Sequence, residues 1–248
     1  MNHLIRAELL KLRSIRTFWG TVAALLALVP LSVAVTMHAS PGDGPSIASS
    51  AGFRNVIAAP STSGILMLLI GIMVMAGEFR NNTVTSTFLV MPNRTRVLGA
   101  KLAAASIIGI ILGAVALLLD LAIALPWISA RHVDVAHHVG DIAVVFAGGL
   151  ALTAIGGLVG VGIGAMLTNQ TLAITATLIW TLAIENLLAS FVSGIGRWSI
   201  GGTASAVSGS IPTTGSLLPM WAAAIVFAGY GLAFAATGSR IMVRRDIN

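Results

Sequence analysis

Cysteine is absent from this 248-residue sequence, and charged residues are scarce. Without cysteine there can be no disulfide, no thiolate metal ligand and no catalytic Cys–His pair. Charged residues account for 9% of the chain, whereas soluble domains carry about 25%. A chain with so few charges cannot cover its own surface with polar groups, which excludes a soluble globular fold.

The sequence also lacks the short motifs by which many enzymes are recognised. It contains no G-x-x-x-x-G-K-[ST] phosphate loop, no H-E-x-x-H zinc motif and no G-x-S-x-G nucleophile motif. The chain therefore cannot bind and hydrolyse a nucleotide through a phosphate loop, and no cofactor is predicted on it. The net charge of +6 does not lead us to predict a nucleic-acid partner. In a membrane protein, basic residues indicate which face of the bilayer is cytoplasmic.

Long apolar runs are what the sequence has in abundance. Hydrophobic residues make up 56% of the chain and the mean hydropathy is +0.96. A helix needs about 20 mostly apolar residues to cross the roughly 30 Å hydrocarbon core. The runs are continuous and do not alternate with period two, so we predict an all-α integral membrane fold, one domain over 1–248, and not a barrel. Six predicted transmembrane helices cover about 17–37, 57–77, 102–128, 142–167, 171–192 and 217–238.

Basic residues are unevenly divided between the two faces of this six-helix arrangement. Six helices place both termini on one face, together with the connector 78–101. Because Lys and Arg concentrate on the cytoplasmic side, the face with eleven of the fourteen basic residues is predicted to be cytoplasmic. The opposite face carries Arg54, Arg131 and Arg197, and the termini face carries Arg6, Lys11, Arg13, Arg16, Arg80, Arg94, Arg96, Lys101, Arg240, Arg244 and Arg245.

The first sixteen residues are rich in helix formers. Ile5, Leu9 and Leu12 share one helical face, while Glu8 and Lys11 interrupt the pattern. We predict an interfacial helix over 1–16 that lies on the inner membrane surface, with its basic groups near anionic lipid. A solvated basic tail that only sets the topology is the alternative.

The connector between the second and third predicted spans reads GEFRNNTVTSTFLVMPNRTRVLGAK from Gly77 to Lys101. Charged residues stand at both of its ends, and Pro92 breaks any helix that would run through it. Arg and Lys here are available for the carboxylates of a partner. The alternative is an ordinary basic loop next to lipid, although Phe79 and Phe88 gain nothing in a purely solvated loop.

Two acidic residues fall within predicted spans, Asp120 in LLLDLAIALPW and Glu185 in LIWTLAIENLL. A charge at membrane depth costs several kcal/mol, so such groups face a cavity, a partner or water. Both are candidates for a substrate or ion pathway. The alternative is a protonated or locally hydrogen-bonded carboxyl that holds helices together.

Glycines recur at four-residue spacing within two predicted spans. This spacing lets two helix backbones approach closely in a membrane. Packing within one chain is the preferred interpretation, and a subunit interface is the alternative. The residues concerned are Gly109 and Gly113 in the third span, and Gly156, Gly160 and Gly164 in the fourth.

Histidine and aspartate cluster in the predicted outer connector, RHVDVAHHVGD. Imidazole and carboxylate at these spacings could hold a metal ion or respond to pH. A solvated loop between helices is the preferred interpretation, so we predict no metal site. The residues are His132, Asp134, His137, His138 and Asp141.

The order of elements resembles the membrane subunit of ABC-2 type transporters, the six-helix permease of ATP-binding-cassette exporters. A basic pre-helix (AELLKLRSIRTFW) and two spans precede the connector, and IWTLAIENLL lies in the fifth span. The resemblance covers the whole chain in architecture. It is most specific at Gly77, Glu78, Phe79, Arg80, Thr83, Pro92, Arg94, Arg96 and Lys101, and looser at Trp180 and Glu185.

The resemblance implies a non-catalytic permease in a bacterial cell membrane that exports a substrate. Its implied partners are a separate ATPase subunit, which would bind ATP and Mg²⁺, a second permease copy in a homodimer or heterodimer, and membrane lipid. The ATPase would dock on a coupling segment, 78–101, through Glu78, Phe79, Arg80, Thr83, Pro92, Arg94, Arg96 and Lys101. The alternatives are an ion-coupled secondary transporter using Asp120 and Glu185, or a membrane anchor or sensor without transport.

Overall fold

A computed structural model describes residues 2–14, 16–39, 46–58, 62–81, 94–191, 194–211 and 216–245. Every regular element in these ranges is helical. Two 3₁₀ turns, Val135–His138 and Gly196–Trp198, and a π-helical segment, Trp180–Ile184, connect longer helices. The α-helices are α1 (Asn2–Ser14), α2 (Arg16–Ala39), α3 (Ser50–Ile57), α4 (Thr62–Arg80), α5 (Arg94–Ser129), α6 (Val139–Met166), α7 (Gln170–Ile179), α8 (Glu185–Phe191), α9 (Ile200–Val207) and α10 (Met220–Arg245).

Within the described residues, six helical stretches are long and apolar enough to cross a membrane, which confirms the predicted number of such helices. Helices are expected here because hydrocarbon offers no hydrogen bonds, so each backbone group must find its partner within the segment. The stretches are Arg16–His38, Ser63–Arg80, Thr95–Ser129, Val135–Met166, Gln170–Leu188 and Met220–Ile241.

Several helix ends differ from the predicted spans. Residue 57, where the second span was predicted to begin, ends the separate helix α3, which the side chain of Ser49 caps. The third spanning helix begins at Arg94, so the last eight residues of the predicted coupling segment are helical. The connector predicted at 193–216 contains α9. Short helices such as α3 and α9 lack the apolar length on which the spans were recognised.

Helix α6 lies at the centre of the bundle and packs against α4, α5 and α10. At Gly160 an added Cβ would overlap the carbonyl oxygen of Leu68 in α4, and at Gly109 in α5 it would overlap that of Thr153. These glycines are therefore required for close backbone contact within one chain. The other glycines predicted to pack lie at the same two helix contacts. Gly113 of α5 lies against Thr153 of α6, and in the contact with α4, Gly156 lies against Gly64 and Gly164 against Ile72.

The packing defines two ends of the bundle. Helix α1 packs against the beginning of α5, where Leu12 and Leu98 share a core cluster. We call this the α1 end. Helix α6 ends there as well, since α6 runs antiparallel to α5, with Gly157 of α6 against Ala105 of α5. At the opposite end, Phe53 of α3 lies in a second core cluster with residues of α2, α5 and α6.

Candidate functional site

Four charged side chains meet at the α1 end and form the charged cluster, defined as Glu8, Lys11, Glu78 and Lys101. Helix α1 supplies Glu8 and Lys11, the last turn of α4 supplies Glu78, and the third turn of α5 supplies Lys101. The cluster thus joins three helices that are distant in sequence. It is also electrically balanced, with two acids and two lysines.

Lys101 lies at the centre of the charged cluster, and its side chain is 1% exposed. Its Nζ donates to Glu8 Oε2 at 2.7 Å and lies 2.9 Å from Glu78 Oε1. The carbonyl oxygen of Val74, at 3.4 Å, accepts a further hydrogen bond. A buried ammonium group is tolerated only when its charge is paired and its donors are satisfied. Both conditions are met here.

Lys11 lies at the outer, partly exposed side of the charged cluster. Its Nζ lies 2.7 Å from Glu78 Oε1 and 3.7 Å from Glu8 Oε1, and its side chain is 45% exposed. Partial burial lowers the pKa of Lys11, but the hydrogen bond to Glu78 and the charges of Glu78 and Glu8 together raise it above its usual value. Lys11 therefore remains protonated at neutral pH and binds both acids.

Sequence reasoning missed Glu8 and Lys11 as functional candidates. Their signal was present, since these two residues interrupted the amphipathic pattern of the first sixteen residues. Glu8 is buried on the same side of α1 as Leu12. An acid on the apolar face of a helix needs a cation from elsewhere in the fold, and that cation is Lys101, 93 residues away.

The residues predicted to dock an ATPase are found in different surroundings. Phe79 packs against the core cluster of the α1 end. Arg80 and Arg96 are exposed, and Arg80 Nη1 donates to Gln170 Oε1 at 3.5 Å. Glu78 and Lys101 lie in the charged cluster. Thr83 and Pro92 lie outside the described residues, as does the side chain of Arg94, whose backbone begins α5.

A polar cavity of about 300 Å³ lies beside Arg80. Phe79 and Arg80 of α4 form one side, and residues 168–171, from the connector after α6 and the first turn of α7, form the other. Asn169 caps α7 by accepting from the backbone N–H of Leu172. The short connector between the fourth and fifth spans therefore lies next to the end of α4, on the same face as the charged cluster.

Glu185, a predicted pathway residue, directly follows the π-helical segment and holds the start of α9. Its Oε1 accepts from the backbone N–H of Ile200 at 3.1 Å, and its Oε2 accepts from that of Gly201 at 2.7 Å. These are two of the four N–H groups that lack a partner at the beginning of a helix. A carboxylate is also favoured there by the helix dipole. Ser199 binds a third such group, the N–H of Gly202.

An apolar cavity of about 490 Å³ lies next to the π-helical segment. Aromatic side chains line much of it, among them Trp180, Trp198, Tyr230 and Phe234. The Tyr230 hydroxyl donates to the carbonyl oxygen of Trp198. The cavity lies among membrane-spanning helices and is lined mainly by apolar groups. Its lining therefore favours an apolar group, such as a hydrocarbon chain, over water.

Asp120, the second predicted pathway residue, has surroundings unlike those of the other acids. Its side chain is 0% exposed, and neither carboxyl oxygen has a hydrogen-bond partner. Ala116 and Ala124, one turn before and after it on α5, are fully buried in apolar core clusters.

The histidine-rich connector at the opposite end forms two separate pairs. His138 Nδ1 lies 2.8 Å from Asp141 Oδ2, while Arg54 of α3 binds the other carboxylate oxygen. The His138 ring stacks on Phe53 with the ring centroids 4.2 Å apart. His137 and Asp134 form an exposed pair. His132 is exposed and adopts a positive φ of 61°.

Among the residues described, no group of three or more potential ligands that could hold a metal ion is found. Comparison of the chain with protein-family models, with curated proteins and with solved structures finds no match.

Proposed function

We propose that this chain is the permease subunit of an ATP-driven exporter of the ABC-2 type, and that a separate ATPase docks at the α1 end. The observation that carries the proposal is the charged cluster. It ties the N-terminal helix to the last turn of α4 and the first turns of α5, the two helices that flank the predicted coupling segment. A force applied to that segment would reach three helices of the bundle together.

Charge distribution supports the α1 end as the cytoplasmic face. Arg6, Arg13 and Arg16 are exposed in or beside α1, and Arg80 and Arg96 are exposed at the facing ends of α4 and α5. A basic surface of this kind suits both anionic lipid and the carboxylates of a protein partner. An ATPase there would bind ATP and Mg²⁺ on its own chain, in keeping with the lack of a phosphate loop here.

A complete transporter on this proposal contains two permease chains and two ATPase subunits. Closure of the ATPases around ATP would move the coupling segment and α1 together. The bundles would then change from inward-open to outward-open states, with export as the direction that the family resemblance implies.

The first experiment is to isolate the tagged chain in mild detergent and to identify co-purifying proteins by mass spectrometry. We expect an ATP-binding-cassette ATPase, and transport by the reconstituted complex should require ATP. Isolation with no ATPase, from cells that express the neighbouring genes, would count against the proposal.

The second experiment reverses charge in the coupling segment. Arg94→Glu with Arg96→Glu should weaken ATPase binding at least about 30-fold, because losing one partner of a buried interfacial ion pair costs about 2–5 kcal/mol. Arg240→Glu is the matched control, since it reverses an exposed charge of α10. Full ATPase retention by the double variant would contradict docking at this segment.

Topology must be checked in the same variants, because removing inner basic residues can itself change orientation. The absence of natural cysteine makes single-cysteine labelling direct. Cysteines at Thr85 and Ser239 should react only from the cytoplasm, and one at Ala136, which is exposed at the opposite end of the bundle, only from outside. Labelling of Thr85 by an impermeant reagent in intact cells would overturn the orientation.

An ion-coupled secondary transporter is the second candidate, and the unpartnered carboxyl of Asp120 is the observation that favours it. Transport that persists without ATP or an ATPase but collapses with the ion gradient would select this candidate.

A further inference from the structure

Asp120 is an acid for which the described residues provide neither a cation nor a hydrogen-bond donor. It is fully buried, and both of its carboxyl oxygens are without partners. An ionised carboxylate in such surroundings is far more costly than a neutral acid, because nothing replaces the water that it loses. From this geometry we propose that Asp120 is a proton-binding site, occupied by a proton in the conformation described here.

The sequence around the site contains no cation that could keep Asp120 ionised. The six spans predicted from the sequence contain no Lys, Arg or His, and Asp120 is the one acidic or basic residue of α5 between Lys101 and the end of the helix. Lys101 is 19 residues away along the same helix, which corresponds to about 28 Å.

Titratable groups of the neighbouring elements are engaged elsewhere. At the α1 end, Glu8, Lys11 and Glu78 bind one another or Lys101 within the charged cluster, and Arg80 of α4 binds Gln170. At the opposite end, Arg54 and His138 bind Asp141, His137 binds Asp134, and His38 of α2 binds the carbonyl oxygen of Ala34. In α10, Tyr230 donates to the carbonyl oxygen of Trp198.

The remaining charged residues of these elements lie near the helix ends. Arg6 and Arg13 are exposed in α1, Arg16 begins α2, and Arg240 lies in the last turns of α10. His3 is exposed in the first turn of α1.

A proton bound at Asp120 has a consequence for conformational equilibria. Any conformation that exposes Asp120 to water lets it ionise near neutral pH and so binds one proton fewer than the conformation described here. Raising the pH therefore favours the exposed conformations, by up to about tenfold in the equilibrium constant per pH unit. This inference goes beyond the proposed function and holds whether or not an ATPase drives transport.

The site lies closer to the opposite end of the bundle than to the α1 end. Nine residues separate Asp120 from the end of α5 at Ser129, against 26 from its start at Arg94. Between Asp120 and that nearer end lie Ala124 and Ile128, which pack with Phe53 of α3. We therefore expect release of the proton to require separation of α3 from α5.

The direct test counts protonated aspartates in the whole chain. The sequence contains five aspartates, Asp43, Asp120, Asp134, Asp141 and Asp246. Full-length protein with ¹³C-labelled aspartate side chains, reconstituted in lipid, should show one protonated carboxyl by NMR at pH 7, and Asp120→Asn should remove that signal. Five carboxylate signals at pH 7 would overturn the proposal, and so would a carboxylate at Asp120 whose signal shifts with added Na⁺ or K⁺.

A second measurement gives an independent reading. The thermal midpoint of the wild type should fall relative to that of Asp120→Asn as the pH rises above about 4, because Asp120 ionises in the unfolded chain while it keeps its proton in the core. Asp134→Asn, a change in the exposed pair, should show no such fall above about pH 4. A wild type that instead loses stability relative to Asp120→Asn on acidification would show that Asp120 is ionised and paired. If Asp120→Asn does not fold, the count of protonated aspartates in the wild type still decides.

Discussion

Glu78 and Asp120 are both buried acids of this membrane bundle, but their surroundings are opposite. Glu78 binds two lysines, one from α1 and one from α5. Asp120 has no partner for either oxygen among the described residues. The bundle thus accommodates these two acids in different ways, one by pairing with cations near a bundle end and the other by staying neutral in the apolar interior. The first way links helices, and the second stores a proton.

Removing the central cation of the charged cluster should have the largest effect on stability. Lys101→Met leaves Glu8 and Glu78 buried without their main partner, and breaking a buried ion pair in this way costs about 3–5 kcal/mol. For a chain of this size, that corresponds to a decrease of roughly 6–20 °C in the thermal midpoint. The measurement is the midpoint in detergent, followed by size-exclusion chromatography of the heated protein.

Lys11→Met is the matched control for Lys101→Met. It removes the same functional group from the same cluster, but at a side chain that is 45% exposed. Pairs of this kind contribute about 0–1 kcal/mol. Equal decreases for the two variants would mean that burial does not determine the strength of the charged cluster.

Glu185 provides an intermediate case, because its partners are backbone N–H groups and not cations. Glu185→Ala should cost about 1–3 kcal/mol, since the N–H groups of Ile200 and Gly201 lose their acceptor. Hydrogen exchange of these two amides should accelerate, and Glu185→Gln, which retains one carbonyl oxygen, should have a smaller effect. Loss of transport without faster exchange would instead indicate the pathway role predicted from the sequence.

The sequence was sufficient to predict the six spans, because an apolar run of about 20 residues is a local property. It did not predict α3 and α9, which are eight residues each and depend on contacts with the bundle. The bound partners of Glu185 were missed for a similar reason. Its carboxylate reaches a helix that begins 15 residues later, across a turn that the sequence does not specify.

The charged cluster could be predicted only in part. Glu78 and Lys101 were singled out as the two ends of a polar segment, but their role was assigned to a partner protein. Whether they contribute to docking is still a prediction, whereas their contacts with Glu8 and Lys11 are intramolecular. Pairing across 93 residues depends on how helices pack, and a single sequence contains no record of that packing.

Replacing Asp120 should not lower the stability of the bundle, in contrast to replacing Lys101. Asp120→Leu removes a buried polar group that has no partner, and such a change is neutral or stabilising. The thermal midpoint at pH 7 should therefore stay the same or rise. A decrease as large as that of Lys101→Met would show that Asp120 is paired in the protein.

Asp134 should give the smallest effect, because its carboxylate is exposed and bound only by neighbours in its own turn. The backbone N–H of Ala136 and then the His137 side chain hold the pKa of Asp134 below its usual value. A lowered pKa means that these contacts stabilise the fold above the unfolded pKa, near 3.8, and that the contribution is lost as the pH falls through the folded pKa. Wild type and Asp134→Asn should therefore have nearly equal midpoints at pH 7, and any difference between them should decrease below about pH 4. The measurement is the midpoint across a pH series for both proteins. The Asp120 difference should instead grow as the pH rises above about 4, because the unfolded chain then loses the proton that the folded chain retains. The differences to compare are those in thermal midpoint between the wild type and each of Asp120→Asn and Asp134→Asn. If both changed in the same pH range, Asp120 would behave as a partnered acid does, which would contradict the contrast between the two residues.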